Sequence, residues 1–382
     1  MSILIEDSPR NLLTWIIQAV KAGDADGAVI SPFASPLQPL RHRRGAEVMA
    51  RGLLSEGAQV WFDAQTHALQ MAGVGDFRYY QEYDFWAGSR GDLTTAPLRQ
   101  GHISRVFAFQ DHLEVSKLAP TILLHHAETQ SSEMALDLAK DAIDQASDCW
   151  ITIAGTAPFW ESGLALDAHI GALAQLEPAG WFVVPVRQLA ALPVEIEAEE
   201  THGICRTIRA LSENAPVHIS HGDLAGLPGV AAGAASVGSG WDQRQRACAY
   251  ASYAERENGD GGGGGWYERV TIRDLLGSLR PSEVAVLRSQ NPALYQALGE
   301  FPPPGPQEAF RHHVSALRSA ISAIADNGDD YYARYTTLLD MYRGSSRLWP
   351  QVAATTGSPL NASHWVDPLQ RGLRLYGEGE GW

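Results

Sequence analysis

Short apolar runs alternate with helix-length amphipathic stretches through most of the chain, and this alternation restricts the fold more than any single residue does. Residues 28–33 read AVISPF, 59–62 QVWF, 121–124 TILL, 150–154 WITIA, 181–186 WFVVPV, 217–220 VHIS and 235–238 ASVG. Most of these runs are β-branched or aromatic, the residue types that suit a pleated, buried strand. Between neighbours lie helical patterns such as RGAEVMARGLLSEG, SSEMALDLAKDAIDQA and GLALDAHIGALAQLEP. Strand alternating with helix predicts parallel strands joined by right-handed crossovers. The eighth strand of a closed set is expected at 105–109, RVFAF, or in a poorly patterned segment.

Polar residues repeatedly follow the strand ends: Ser31, Asp63, His125 with His126, Thr156, Arg187, Ser220 with His221 and Asp223, and Trp241 with Asp242. In a closed barrel all of these ends converge on one site, whereas an open sheet gathers only those beside its crossover. The expected fold class is therefore α/β, an eight-stranded TIM-like barrel with a C-terminal helical subdomain, and the recurring polar ends argue for an enzyme. A chain of 382 residues accommodates a barrel of about 250 and an appendage. We expect the barrel over 1–255, with an insertion at 73–118 whose GDFRYYQEYDFW stretch either covers the mouth or packs as an ordinary excursion. A flexible glycine-rich loop follows at 256–265, where successive glycines maximise backbone freedom, and a mainly helical extension at 266–382 breaks near Asn327 and Gly328.

With 45% apolar and 19% charged residues the chain can build a sizeable core. A formal charge of -15 disfavours wrapping of long nucleic acid, leaving the RHRR run at 41–44 as a local anion contact or solvated surface. The amino terminus reaches acidic residues at once, without a basic leader, and 9–20 reads as an amphipathic helix. No run approaches the roughly 20 apolar residues of a membrane span. Cys149, Cys205 and Cys248 are too scattered for a disulfide framework or a thiolate knuckle, so a soluble protein in a reducing, cytoplasmic compartment is expected.

Asp63 ends QVWF and is followed by AQTHALQ, so a carboxylate and the Gln65 amide emerge together from a strand end. The carboxylate suits a proton acceptor and the amide a planar amide or nucleobase; the competing role for Asp63 is a helix cap. A second cluster, VHISHGDLAGLPGVAAGAASVGSGWDQRQR, supplies Asp223 and Asp242 as catalytic candidates. Its Ser220, His221, Trp241, Arg244 and Arg246 are candidate substrate contacts. His126 joins the catalytic candidates as an acid or base. His125 and His126 point to opposite faces of an ideal strand, so an adjacent-histidine zinc site is not expected.

The segments VWFDAQTHALQ and GAASVGSGWDQRQR resemble two motifs of the tRNA-guanine transglycosylases and related DNA base-exchange barrels, the strand-terminal Asp-Gln pair and the late-barrel aspartate followed by arginines. The resemblance spans about residues 28–253. It implies that Asp63 stands near the base or acts as general acid/base, that Asp242 is the nucleophile, and that Arg244 or Arg246 supports substrate binding. The sequence departs from that pattern at Ala64, where a small polar and glycine-rich continuation is expected. It also lacks the Cys-x-Cys-x-x-Cys with a later His that would hold the family's structural zinc.

Two strand-end carboxylates suit cleavage or exchange at a glycosidic carbon, one attacking or stabilising the positive carbon while another acid protonates the departing base. The expected function is a glycosyl-transfer or glycosidic-bond-cleaving enzyme, acting on a nucleobase-containing small molecule or a local nucleic-acid segment. The alternatives are metal-assisted hydrolysis through His125 or His126 with barrel-end aspartates, and a non-catalytic barrel that binds nucleic acid or protein. No cofactor is expected outside the divalent metal of the hydrolase alternative, and no membrane partner. The helical extension is open to a homo-oligomer contact.

Overall fold

In the computed structural model, which describes residues 1–8, 12–40, 44–71, 80–252 and 269–382, the chain begins with a strand. This β1, Ser2–Glu6, is the missing eighth barrel strand. Residues 105–109, the segment expected to supply it, instead lie inside the helix Ala96–His112. Seven of the remaining strands fall on the predicted runs: β2 Gly27–Ile30, β3 Gln59–Phe62, β5 Leu123–Leu124, β6 Trp150–Thr156, β7 Gly180–Arg187, β8 Val217–Ile219 and β9 Ser236–Ser239; β4, Leu118–Ala119, falls just before the 121–124 run, where the insertion was expected to end. All pair in parallel in the order β3-β2-β1-β9-β8-β7-β6-β4, with β5 extending the β4 edge along β6.

The result is a nearly closed eight-stranded barrel. At the seam a side chain does the work of a ladder: Gln110 Nε2 donates to the carbonyls of Phe62 at 2.8 Å and Leu118 at 2.9 Å, and its Oε1 accepts from the Leu118 N–H at 3.1 Å. A fully buried glutamine thereby satisfies backbone groups that an open edge would leave unpaired.

Successive strand side chains point to opposite faces, and this sorts the core into two layers. Leu4, Val29, Trp61, Ala154, Phe182, Val184 and Val186 fill the barrel. Ile3, Ile5, Ile30, Phe62, Ile153, Val183, Ile219 and Val237 face the surrounding helices. Burying each of the larger of these side chains contributes about 2 to 3 kcal/mol.

The helices are α1 Leu13–Ala22, α2 Ala46–Leu54, α3 Ala96–His112, α4 Gln130–Gln145, α5 Ala157–Trp160, α6 Leu164–Ala174, α7 Ala198–Ser212, α8 Leu227–Ala231 and α9 Gln243–Arg246. A short strand β10, Cys248–Ala249, returns to pair with the end of β7. Of the aromatic insertion, Tyr83 and Phe85 are buried against Phe62 and Phe109, Tyr80 is buried against Phe85 and Phe33, and the Tyr83 hydroxyl donates to the Ser35 carbonyl at 2.6 Å.

The C-terminal region is helical: α10 Pro281–Gln290, α11 Pro292–Ala297, α12 Pro306–Ala325, α13 Tyr331–Thr356, α14 Ala362–Trp365 and α15 Asp367–Gly379. It opens, however, with an antiparallel ribbon, β11 Val270–Ile272 and β12 Gly277–Leu279, where helical pieces were expected. The break between α12 and α13 coincides with Asn327 and Gly328. The glycine-rich loop, residues 41–43 of the basic run and residues 9–11 of the first predicted helix lie outside the described residues. Among the described residues, no helix is long and apolar enough to cross a membrane.

Candidate active site at the barrel mouth

Strand alternation also decides which groups enter the mouth. In β1, Leu4 faces the interior, so Glu6 two residues on does the same; by the same period Val29 leads to Ser31, Trp61 to Asp63, and His218 to Ser220. Because the strands are parallel, these residues emerge at one end of the barrel. Glu6, Ser31, Asp63, Gln65, His67 and Ser220 are buried there, and His221 is partly buried beside them with its side chain largely covered.

Glu6 is the hub. Its Oε1 accepts from the Ser220 hydroxyl at 2.8 Å and the His221 N–H at 2.9 Å, while Ser220 Oγ also lies 2.7 Å from His221 Nδ1. The fit depends on Gly238: a Cβ there would stand 2.1 Å from Glu6 Oε1 and 2.8 Å from the His221 nitrogen. Burial pushes Glu6 up to about 8, opposed by the His221 and Ser220 hydrogen bonds and aided by the nearby Asp63 charge. Asp63 is likewise raised by burial to about 7, although the Gln65 N–H donates to its Oδ1 at 2.8 Å. Gln65 is anchored in turn by the Ser31 hydroxyl, which donates to its Oε1 at 2.8 Å.

Three imidazoles surround the acids, and burial lowers His67, His218 and His221 to about 3, so all are neutral near pH 7. His218 Nε2 lies 4.0 Å from Glu6 Oε1 without a hydrogen bond, and His67 Nδ1 is also without one. Among the described residues neither carboxylate forms an ion pair with Lys or Arg. The mouth therefore holds two acids of raised proton affinity among neutral donors and acceptors, the environment that separates acid from base roles. No group of three or more His, Cys, Asp or Glu among the described residues is arranged to hold a metal.

The other predicted residues lie apart from this cluster. Asp223 is on the outer side of the wall, where the Ser239 hydroxyl donates to its Oδ1 at 2.8 Å and His313 of α12 approaches at 3.1 Å. Burial alone would raise Asp223, but His313, the Arg246 guanidinium and these hydrogen bonds hold it at about 2. Arg246 donates to the Gly240 carbonyl at 3.0 Å. Trp241 faces α1, its ring 5.5 Å from that of Trp15. Asp242 follows β9 at the mouth end and caps α9, its Oδ1 accepting from the Arg244 N–H at 2.9 Å; the half-buried Arg244 guanidinium lies 3.7 Å from its other oxygen. His125 and His126 are exposed in the turn before α4, and His126 Nδ1 accepts from the Glu128 N–H at 3.2 Å.

Sequence reasoning passed over Glu6, His67 and Gln245. Glu6 had a readable signal, a three-residue apolar run, ILI, ending on an acid just before a helix. Gln245 had a partial signal, the capping-box spacing Asp242-x-x-Gln245, which the structure forms; nothing in the spacing announces that its Oε1 also accepts from the Trp241 N–H at 2.8 Å and its Nε2 donates to the Glu6 carbonyl, clamping the ends of β9 and β1 together. Beside the cluster a cleft of about 470 Å³ is lined by His125, Thr156, Val186, Arg187, Glu200 and Tyr250, with Arg187 paired to Glu200. A narrower void continues past Arg187 to Ile219, His221 and Ala247.

No family model matches the sequence, and no curated protein matches it. Among solved structures it is similar to the Amycolatopsis orientalis BexX/CysO complex, with 13% identity, 62% of this chain and 79% of that chain covered, and a TM-score of 0.36. A likeness of that size leaves the function to be argued from this chain's own residues.

Proposed function

We propose that the barrel mouth cleaves or transfers a glycosidic bond to a nucleobase, with Glu6 as the acid and Asp63 as the carboxylate that meets the sugar carbon. The carrying observation is the pair itself: two buried carboxyl groups at the ends of β1 and β3, one shifted to about 8 and the other to about 7. At neutral pH the higher group keeps its proton and donates it to the departing base as the C–N bond breaks and its electron pair leaves with the base. The lower group, substantially ionised, stabilises the positive carbon or bonds to it until water or an acceptor arrives.

The neighbouring groups support the division of labour. Once Glu6 is ionised, the Ser220 hydroxyl donates to its Oε1, and in the tautomer with the proton on Nδ1 His221 donates to Ser220 Oγ, giving a path by which Glu6 regains its proton while His221 Nε2 takes one from water. Gln65, fixed by Ser31 beside Asp63, is placed to read a planar base edge. The resemblance of VWFDAQTHALQ to the base-exchange motif favours a nucleobase over another leaving group. The acidic chain favours a nucleoside or a short single-stranded segment over duplex.

The test is incubation of the full chain with defined nucleosides and short oligonucleotides, with free base followed by chromatography. Base release that falls at least about 100-fold in both Glu6→Gln and Asp63→Asn is expected. Both variants should keep the native circular dichroism. No release from any substrate, or release unchanged in the two variants, would sink the assignment.

A further inference from the structure

The cleft beside the acid cluster carries chemistry that the glycosidic reading leaves unused. It opens where β6 and β7 end, at Thr156 and Arg187, and Tyr250, just after β10, lines it as well. Its volume of about 470 Å³ is that of a small-molecule site. His125, Gln188 and Leu189 on its lining are exposed, so the space is reached from solvent. Arg187 and Ile196 line both this cleft and the narrow void that reaches His221.

Arg187 is 9% exposed, and its Nη1 donates to Glu200 of α7, itself 1% exposed. A guanidinium has five N–H groups in a fixed fork, and among the described residues those on Nε and Nη2 have no hydrogen-bond partner. Open donors on so buried a cation are costly unless a ligand takes them. Thr156 Oγ1 is also loosely held, 3.4 Å from the Leu124 carbonyl and 3.3 Å from His125 Nδ1. The lining then decides the ligand's charge. Glu195, Glu197 and Glu200 outnumber the guanidinium and repel an anion, while a cation meets Arg187 where the cleft narrows into the void.

We propose that this cleft binds a neutral monosaccharide. Each sugar hydroxyl both accepts and donates, so one hydroxyl edge can take the Arg187 N–H groups, give protons to the carboxylates and share either kind of bond with Thr156. The C–H face of the ring has an apolar counterpart in Val186, Ile196 and the half-buried Tyr250. Such binding needs neither Glu6 nor Asp63, so it stands apart from the glycosidic reading.

The probes are D-glucose, D-galactose and D-ribose, each titrated into the full chain by isothermal calorimetry. At least one should bind with a Kd of about 1 mM or tighter, and inorganic phosphate, spermidine and adenine should each bind more weakly than that sugar. Arg187→Met combined with Glu200→Gln removes the donors without leaving a buried charge alone, and should weaken the sugar at least about 10-fold. Tyr250→Ala and Thr156→Val should each weaken it several-fold, and these two decide if the double variant does not fold. Glu6→Gln should bind the sugar as the parent does; loss of binding there would move the sugar to the acid cluster and overturn the cleft. Failure of all three sugars to bind, tighter binding of phosphate, spermidine or adenine, or a Kd indifferent to the cleft substitutions would equally overturn it.

Discussion

On opposite sides of the barrel wall, where β1, β8 and β9 end, lie two groupings of one acid, one serine and one histidine. Inside the barrel they are Glu6, Ser220 and His221; outside, Asp223, Ser239 and His313. Their residue types are nearly the same and their electrostatics are opposite. The outer acid has the permanent charge of Arg246 nearby and is held low, whereas the inner acid pairs with no such cation among the described residues and is pushed up to about 8 by burial. A satisfied buried acid holds a fold together, while a raised one stores the proton affinity that chemistry can use.

The largest effects should separate the two faces by what they damage. Glu6→Gln and Asp63→Asn are expected to cost at least about 100-fold in turnover with the fold intact, because each amide keeps the shape and discards the titrating oxygen. Asp223→Ala should do the reverse. It removes the anion opposite buried Arg246 and strips His313 and Ser239 of an acceptor, a loss of about 3 kcal/mol or more in urea unfolding. Its turnover per folded molecule should stay within a few-fold of the parent. A large fall in turnover with unchanged stability would place Asp223 in the reaction after all.

The pH dependence of stability sharpens the contrast. Glu6 rises from 4.5 to about 8 on folding and Asp63 from 3.8 to about 7, so the folded state binds their protons more tightly than the unfolded chain does. Their contribution is fully present below the unfolded values and is lost as the pH climbs through about 7 and 8. Asp223 falls from 3.8 to about 2. Its contribution is present above 3.8 and lost as the pH drops through 2. Unfolding curves between pH 5 and pH 9 should show stability declining in the parent and flatter in Glu6→Gln. An equal decline in that variant would remove Glu6 as its source.

The barrel was legible in the sequence because its signal is repeated: six of the eight wall strands, and β5 beside β6, appear as apolar runs between helical patterns, and parallel order follows from that spacing. The first strand was hidden by brevity and by the helix behind it, and RVFAF was misassigned because periodicity in five residues cannot separate a strand from the buried face of a helix. Asp63, Gln65, Ser220 and His221 were readable as strand-end residues. Asp223 was also readable as one, but the positive-φ turn at His221 and Asp223 sends its carboxylate to the outer face. Only the path of the turn decides this, and residue types alone do not encode that path. The seam glutamine, Gln110, is set by tertiary distance and left no trace in spacing; Gln245 shows in spacing only as a cap partner of Asp242, and its bond to the Glu6 carbonyl does not.

Asp242 marks the border between the two regions, and the smallest expected effect belongs to it. It emerges at the same end of the barrel as Asp63, since both follow parallel strands. Its carboxylate, however, accepts from the Arg244 backbone and lies beside that residue's guanidinium, which is the work of a helix cap. Asparagine caps a helix about as well as aspartate does. Asp242→Asn should therefore leave the melting temperature nearly unchanged and alter turnover by less than about 10-fold, measured on one preparation so that rate and folding are compared directly. A loss of about 100-fold at unchanged stability would hand the nucleophile's role from Asp63 to Asp242, as the base-exchange resemblance implies, and would extend the reactive region across the mouth to the end of β9.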